Sequence, residues 1–225
     1  MSVLFAAASS QRGTITTYSP TTGDVSVESW YYPTSNTATS GGLFSFGTLT
    51  DFTMFFLPFW DSGSGTKQFV QGRVGGGAPS LEIGTLLSLN AWHYFRVKWD
   101  TAGTLYYDAW DTALANEIST SGSVTAGARD AGDRLEIGRK IQTASSAYAN
   151  GRLRNLTILN SLATDAQSLS RALQSNPLHT GPGTIDLLCP LVDANDTREL
   201  KANLAITYSG SPTTADDPQN LPNQY

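Results

Sequence analysis

The stretch Trp92-His-Tyr-Phe-Arg-Val-Lys-Trp99 alternates its side chains with the two-residue period of a β-strand. One face carries Phe95, Val97 and Trp99, and the other carries Tyr94, Arg96 and Lys98. An apolar face packs against a core, whereas a polar face meets water. The stretch therefore predicts a strand whose first face is buried and whose second face is exposed to solvent.

The residues that follow predict a tight turn and a returning strand. Asp100-Thr-Ala-Gly103 ends in a glycine, which readily takes a positive φ, and Leu105-Tyr-Tyr-Asp-Ala-Trp110 has the composition of a strand. Together with the preceding strand they form the clearest hairpin in the sequence. Similar β-rich runs, separated by clusters of Gly, Ser, Thr, Asn and Pro, fill most of the chain. This pattern predicts an antiparallel β-sandwich.

Other segments predict individual elements. The first ten residues are expected to begin with a strand, and residues 52–60 are apolar at almost every position, so both faces of that strand should be covered. One apolar stripe with the spacing i, i+4, i+7 and i+11 predicts a helix and consists of Leu162, Ala166, Leu169 and Leu173. Thr164 and Gln167 supply a capping box at its start.

Length and charge limit the domain organisation and the partners. The 225 residues suit one sandwich domain over residues 1–210, followed by an extended C-terminal arm over 211–225 that contains three prolines. The 14 basic residues face 19 acidic ones and form no basic run, so nucleic acid is not an expected partner. No stretch reaches the ~18 apolar residues that a membrane span needs.

Four segments, in order along the chain, carry a resemblance to a known superfamily. They are Val25-Ser-Val-Glu-Ser-Trp-Tyr-Tyr-Pro33 with Leu43-Phe-Ser-Phe-Gly47, then residues 92–100, then residues 105–108, and finally Leu135-Glu-Ile-Gly138 with residues 150–160 and the predicted helix. This order resembles the laminin-G-like or pentraxin-like branch of the concanavalin A superfamily, a jelly roll of two antiparallel sheets.

The resemblance spans residues 20–175 and implies a topology rather than a chemistry. Members of the superfamily include lectins, adhesion modules and many phage virion proteins. The family usually has Gly after the third segment, where this chain has Ala109, so the turn there is expected to differ.

The sequence contains no recognisable catalytic motif. Glucanases on this fold place carboxylates in a Glu-x-Asp-x-x-Glu pattern, and no Glu-x-Asp occurs in this chain. His93 lies inside a predicted strand and His179 beside a loop rich in Pro and Gly, and both are expected to be structural. Cys189 lies in an apolar stretch that predicts a buried thiol. We therefore expect a protein that is not an enzyme, with no catalytic residue and no cofactor, although carboxylates converging from distant strands could still form a hydrolase site.

Binding residues can be suggested for two kinds of ligand. Sandwiches usually bind sugars on exposed aromatic rings, and Trp60, Tyr106 and Trp110 are candidates because they lie near strand ends or on a polar face. Packing in the core is the alternative for each of them. For calcium, the weak candidates Asp193, Asn195 and Asp196 cluster hard oxygen ligands, and a solvated turn is the alternative explanation for them.

Two functions are compatible with these observations. The first is a virion surface component of a tailed phage, such as a capsid decoration, cement or tail-associated protein, which binds capsid or tail proteins or its own copies. It is favoured by the missing disulfide framework, the missing signal peptide and the terminal arm, and it implies a location in the virion. The alternative is a carbohydrate-binding lectin module, with or without calcium.

Overall fold

The computed structural model describes residues 2–18, 20–36, 41–61, 65–141, 147–173, 185–191 and 204–215. Sheet A consists of β1 (Ser2–Phe5), β3 (Val25–Pro33), β8 (His93–Asp100), β9 (Thr104–Trp110), β10 (Asn116–Ser123), β14 (Gly151–Leu159), β15 (Ile185–Cys189) and β17 (Thr213–Ala215). Sheet B consists of β2 (Arg12–Ile15), β4 (Phe44–Gly47), β5 (Phe52–Asp61), β6 (Thr66–Gly72), β7 (Ser80–Ile83), β11 (Arg134–Ile137) and β16 (Thr207–Ser209). The remaining elements are the ribbon of β12 (Arg139–Lys140) and β13 (Ala147–Tyr148), a 3-10 turn at Ala7–Ser9, and the helix α1 (Asp165–Ala172).

The strand order shows how the chain alternates between the two sheets. Sheet A runs β10-β9-β8-β3-β14-β1-β17, with β15 also paired to β14, and sheet B runs β16-β2-β11-β4-β5-β6-β7. The pairings between these strands are antiparallel. The predicted all-β, two-sheet jelly-roll sandwich with one late helix is therefore confirmed.

The core lies between the inner faces of the two sheets. Phe56 of sheet B stacks its ring 5.2 Å from that of Phe95 and 5.1 Å from that of Tyr107, both in sheet A. All three side chains are fully buried. The prediction that Phe95, Val97 and Trp99 face the core is confirmed, because none of them is exposed.

The opposite face of β8 differs from the prediction. Tyr94 and Arg96 are only 2% and 1% exposed, and Lys98 is half-buried. The reason is that α1 crosses this face, where the guanidinium of Arg96 donates to the carbonyl of Ala163 and the hydroxyl of Ser168. The predicted period of the strand is correct, but the solvent expected on its polar side is replaced by a helix.

The helix itself begins as predicted. Thr164 accepts a hydrogen bond from the Gln167 backbone, and the Gln167 side chain accepts one from the Thr164 backbone, which completes the capping box. The buried residues of α1 are Ser168, Arg171 and Ala172, whereas Ala166 and Leu173 of the predicted apolar stripe are exposed. The inward face of α1 is polar because Arg171 on this face forms an ion pair with the carboxylate of Glu28, which is buried in sheet A.

The hairpin of β8 and β9 forms at the predicted residues. Gly103 has φ of 100° and its N–H donates to the carbonyl of Asp100 at 2.9 Å. A Cβ at this position would also lie 2.9 Å from the carbonyl oxygen of Val124. The strand then continues through Ala109 to Trp110, and the next turn follows after Asp111.

Several smaller predictions can be compared with the described residues. The chain begins with β1, and residues 52–59 of β5 are buried on both faces, as predicted. Cys189 is fully buried in β15, also as predicted. Residues 213–215 of the expected arm pair with β1, while residues 216–225 lie outside the described residues. No helix in the described part of the chain is long and apolar enough to span a membrane.

Candidate functional site

A cavity of about 270 Å³ opens at one end of sheet A, where β3 and β9 end and β8 and β10 begin. We call it the end cavity. It is lined by Tyr32, Ser88, Asn90, Ala91, Trp92, His93, Asp111, Thr112 and Glu117. The side chains of Tyr32 and Trp92, one imidazole, two carboxylates and an amide therefore surround one space, together with three hydroxyls that include that of Tyr32.

The aromatic wall of the end cavity is formed by Tyr32 and Trp92. Their ring centroids lie 5.5 Å apart at an interplanar angle of 55°, and the guanidinium of Arg152 lies 4.9 Å from the centroid of Tyr32. Trp92 is 3% exposed, and its Nε1 is buried without a hydrogen-bond partner among the described residues. A buried donor without a partner is costly, and Trp92 carries one in the wall of the cavity.

His93 lies at the polar side of the cavity and is 1% exposed. Its Nδ1 is 2.5 Å from Glu117 Oε2, while its Nε2 is 3.0 Å from the carbonyl oxygen of Ser88 and 3.2 Å from the Ser88 hydroxyl. Both the carboxylate and the carbonyl accept hydrogen bonds only. These contacts of the two ring nitrogens tie the loop before β8 to β10.

The side chains of Ser88, His93 and Glu117 have the composition of a hydrolase triad, but the arrangement differs from one. A general base needs a free lone pair on the nitrogen that faces the serine. Nε2 of His93 lies nearer to the Ser88 carbonyl oxygen, at 3.0 Å, than to the Ser88 hydroxyl, at 3.2 Å. We interpret this trio as a structural clamp at the mouth of the cavity.

The two loops that line the cavity are fixed by their own backbone bonds. Asp111 Oδ1 accepts from the N–H groups of Ala113 and Ala115 at 2.9 and 2.8 Å, and Leu114 adopts φ of 62° within this turn. On the other side, Asn90 has φ of 58° and its N–H donates to the carbonyl of Pro33 at 2.8 Å. These bonds hold Asp111 and Asn90 at the cavity before any ligand arrives.

Two of the residues suggested for sugar binding from the sequence are described but do not line the end cavity. Trp110 is 3% exposed and packs in one cluster with Trp30, Trp92, Tyr94 and the helix residue Ala172, so its ring is not exposed as expected. Tyr106 is half-buried, with the Lys98 ammonium 4.5 Å from its ring centroid. Neither residue lines the end cavity.

Other suggested residues cannot be placed. The backbone of Trp60 lies in β5 opposite Lys67, and its side chain is outside what the structure describes. His179 and the calcium candidates Asp193, Asn195 and Asp196 lie outside the described residues. Within the described ranges, no group of three His, Cys, Asp or Glu side chains could hold a metal ion.

The sequence did not point to Tyr32, Trp92, Asp111 or Glu117. They come from four separate segments that meet only when β3, β8, β9 and β10 are aligned in sheet A. The one local signal was the turn chemistry of Asp111, whose side chain commonly binds the backbone two residues further on.

The comparisons with solved structures identify similar folds. A heptameric SAP-like pentraxin from Limulus polyphemus is 15% identical, with a TM-score of 0.60, and the match covers 95% of this chain and 94% of that one. A candidate carbohydrate-binding protein from Bacteroides ovatus is 16% identical, with a TM-score of 0.68 over 96% of this chain and 60% of that one. The LG1-3 region of the laminin alpha2 chain is 13% identical, with a TM-score of 0.51 over 72% and 31%.

No protein-family model matches the sequence, and no curated protein matches it either. At these identities the structural matches establish a shared fold. The pentraxin match covers nearly the whole of both chains. The laminin match corresponds to the laminin-G-like alternative named in the sequence resemblance. The chain thus has a jelly-roll fold similar to the folds of the pentraxin and laminin structures.

Proposed function

We propose that this chain is a binding module without catalytic activity that takes a saccharide in the end cavity. The observation that carries the proposal is the buried Nε1 of Trp92, which has no partner among the described residues and belongs to an aromatic wall facing carboxylates. Small-ligand sites combine apolar or aromatic walls with a few fixed polar groups, and the end cavity has this composition.

The chemical groups of a sugar match the residues that line the end cavity. Hydroxyl groups both donate and accept, so the carboxylates of Asp111 and Glu117 can accept from them while the Trp92 indole donates to a ring oxygen. The C–H face of a sugar can pack on the ring of Tyr32, which is partly exposed. At about 270 Å³, the end cavity lies just below the usual range of about 300–1,000 Å³ for ligand pockets, which favours one terminal saccharide unit.

The charged side chains at the end cavity indicate which kind of sugar it can bind. Asp111 and Glu117 place two carboxylates at the cavity, and the cation of Arg152 lies against the Tyr32 ring. A carboxylate repels an acidic sugar and attracts an amino group. We therefore expect neutral or amino sugars to bind in preference to acidic ones. The Bacteroides ovatus structure, described as that of a candidate carbohydrate-binding protein, supports a saccharide ligand by analogy of fold.

A glycan array with purified protein tests the proposal. The wild type is compared with Trp92→Phe, which keeps a ring but loses the indole N–H, and with Asp111→Asn and Tyr32→Ala. Tyr106→Ala is the matched control, because this ring lies outside the cavity. We expect the three cavity variants to lose binding by about tenfold or more, and the control to retain it. Folded wild-type protein that binds no glycan, or binding that Tyr106→Ala alone abolishes, would reject the end cavity as the site.

The role of calcium is tested in the same experiment. Each array is run with calcium and again with a chelator. Loss of binding with the chelator would support Asp193, Asn195 and Asp196 as candidate ligands, since these offer hard oxygen atoms. Binding that is equal in both buffers would reject a calcium requirement.

A second proposal is that the module is part of a larger assembly, such as the surface of a virion. One observation favours it: residues 207–209 and 213–215 pair along the edges of both sheets, so Ala215, the last described residue before the end of the expected arm, lies on an edge strand. Deletion of residues 216–225 leaves β17 in place and tests this role. Loss of self-association in sedimentation, or of docking to a shell, would support assembly, and unchanged behaviour would count against it.

A further inference from the structure

The edge of sheet A at β10 is longer than the other sheet edges. β10 has eight residues and pairs with β9 alone among the described strands, whereas the end strands β7, β15, β16 and β17 have between three and five residues. Edge strands are usually short, or carry lysine or proline, which prevents pairing with a further strand. Residues 112–128 contain one charged residue, Glu117, and no proline. The ladder with β9 is irregular only between Asn116 and Ile118, so residues 118–123 form a regular, uncharged edge.

The backbone of this edge has hydrogen-bonding groups that point away from β9. The N–H of Val124 donates to the carbonyl of Gly103 at 2.9 Å, in the same register as the ladder of β9 and β10. In an antiparallel ladder, residues that bond to the neighbouring strand alternate with residues whose N–H and C=O groups point the other way. Counting back from Val124 in steps of two, the even-numbered residues of β10 bond to β9. The N–H and C=O groups of Ser119, Ser121 and Ser123 therefore point outward from the sheet edge.

The burial of the side chains agrees with this alternation. Ser119, Ser121 and Ser123 are exposed, whereas Ile118 is 7% exposed and belongs to the core. A Cβ added at Gly122 would lie 2.9 Å from Leu81 of sheet B, so this residue also faces the interior of the sandwich. The edge thus combines a row of exposed hydroxyl groups with outward backbone groups that bond to no other strand among those described.

A second copy of β10 fits this edge in one antiparallel register. When the twofold axis passes through Ser121, Ser119 of each copy faces Ser123 of the other, and Ser121 faces its own equivalent. Every outward N–H of the three serines then donates to a serine carbonyl of the opposite copy. An axis through residue 120 or 122 would instead leave one serine of each copy opposite a residue outside this row. The register through Ser121 therefore pairs the outward backbone groups most completely.

The side chains of the two copies also match in this register. Serine hydroxyls face serine hydroxyls, and the apolar Ile118 faces the apolar Val124 of the other copy. The two Glu117 side chains lie at opposite ends of the paired region, so no like charges stand directly opposite each other. Matched cross-strand pairs stabilise a sheet, whereas like charges directly opposite destabilise it. The match of β10 to its own sequence favours a second copy of this chain over an unrelated strand as the partner.

We propose that β10 is the interface of a symmetric dimer, in which the A sheets of two copies join into one continuous sheet. A contact confined to one strand edge is small, so the dimer dissociates on dilution. The interface is independent of the proposed saccharide site, because Ser119, Ser121 and Ser123 do not line the end cavity. It also does not involve residues 216–225, so deletion of those residues leaves this dimer intact.

Sedimentation velocity of the full chain, at protein concentrations from about 1 μM to about 1 mM, tests the dimer. The wild type should shift from monomer to dimer as the concentration rises. Ser121→Lys places two ammonium groups beside the axis and should weaken the dimer by about tenfold or more. The control Thr207→Lys adds the same charge at an exposed position of the edge strand β16 and should behave as the wild type does. A wild type that stays monomeric throughout, or equal weakening by the two substitutions, would overturn the proposal.

Disulfide formation tests the register. The Cα atoms of a hydrogen-bonded antiparallel pair lie about 5.5 Å apart, which is within disulfide range. Ser121→Cys should therefore form a covalent dimer on mild oxidation, detected by non-reducing electrophoresis, and the native Cys189 does not compete because it is buried. The control Ser123→Cys exposes a thiol on the same strand, but the two copies of it are displaced by roughly 14 Å along the strands and should not cross-link. Equal cross-linking of the two variants, or none with Ser121→Cys, would reject the pairing through Ser121.

Discussion

Arg171 of α1 and Glu28 of β3 form a two-point ion pair, with Nε to Oε2 at 2.7 Å and Nη2 to Oε1 at 2.8 Å. Their side chains are 2% and 0% exposed. Tyr94 and Ser168 donate to the same carboxylate at 2.8 and 2.6 Å, so both of its oxygens accept more than one hydrogen bond. This pair fixes the helix on the outer face of sheet A and determines which side of the helix is buried.

Replacing Arg171 by Met should strongly destabilise the protein. The substitution leaves Glu28 buried and without a cation, a change that costs about 3–5 kcal/mol in similar sites. The free energy of unfolding in urea, measured by circular dichroism, gives the result. As a control, Lys67→Gln breaks the exposed pair with Glu82 and should cost less than about 1 kcal/mol. Equal effects of the two substitutions would show that the buried pair does not stabilise the helix.

Replacing Arg129 by Met should act in the opposite direction. Arg129 is 3% exposed, and among the described residues no carboxylate lies within ion-pair distance of it. Burial lowers the pKa of this guanidinium to about 10, which shows that its charge is poorly compensated. An apolar side chain of similar length should raise the free energy of unfolding by about 1 kcal/mol. A decrease in urea resistance would mean that the hydrogen bond to the Thr21 carbonyl outweighs the cost of burying the charge.

Acid should weaken the contact between α1 and sheet A through Asp165. A hydrogen bond from Arg96 lowers the pKa of Asp165 below its usual range. A depressed pKa in the folded state means that the ionised form stabilises folding above the unfolded pKa of about 3.9. That contribution to stability is lost as the pH falls through the lower pKa that Asp165 has in the folded state. Melting temperatures between pH 2 and pH 6 should fall less steeply for Asp165→Asn than for the wild type. Identical slopes would exclude Asp165 as a source of acid sensitivity.

Replacing Gly103 by Ala should destabilise the hairpin of β8 and β9. The residue has φ of 100°, and a Cβ would lie 2.9 Å from the carbonyl oxygen of Val124. Strained backbone of this kind costs about 1–3 kcal/mol. Gly84→Ala is a suitable control, because a methyl group there would meet no atom of a non-adjacent residue within 4 Å and its φ is not in the left-handed range. Thermal unfolding of the two variants should differ clearly, and similar melting temperatures would contradict the role given to Gly103.

The contrast between Arg171 and Arg129 also shows why residue type alone was a poor guide to burial. Both are arginines in a sequence with few charges, and both are buried. Arg171 is matched by a carboxylate from a strand more than a hundred residues away, whereas no carboxylate of the described residues lies within ion-pair distance of Arg129. Pairing of this kind depends on long-range contacts, which the local pattern of a sequence does not encode.

The sequence by itself determined the elements whose signals are local. The two-residue period of residues 92–99, the glycine turn at Gly103 and the capping box of Thr164 and Gln167 all formed where they were predicted. Each depends on backbone geometry within a few residues, so neighbouring sequence is sufficient. The order of four such segments was also enough to indicate the jelly roll.

Only the tertiary structure decided what covers each face and which side chains meet. The outer face of β8 is buried because α1 packs on it, and Trp110 lost its expected exposure for the same reason. Tyr32, Trp92, Asp111 and Glu117 form one cavity because four strand ends are aligned in sheet A. The alternation of a strand specifies two faces, but the partner of each face is set by packing between elements distant in sequence.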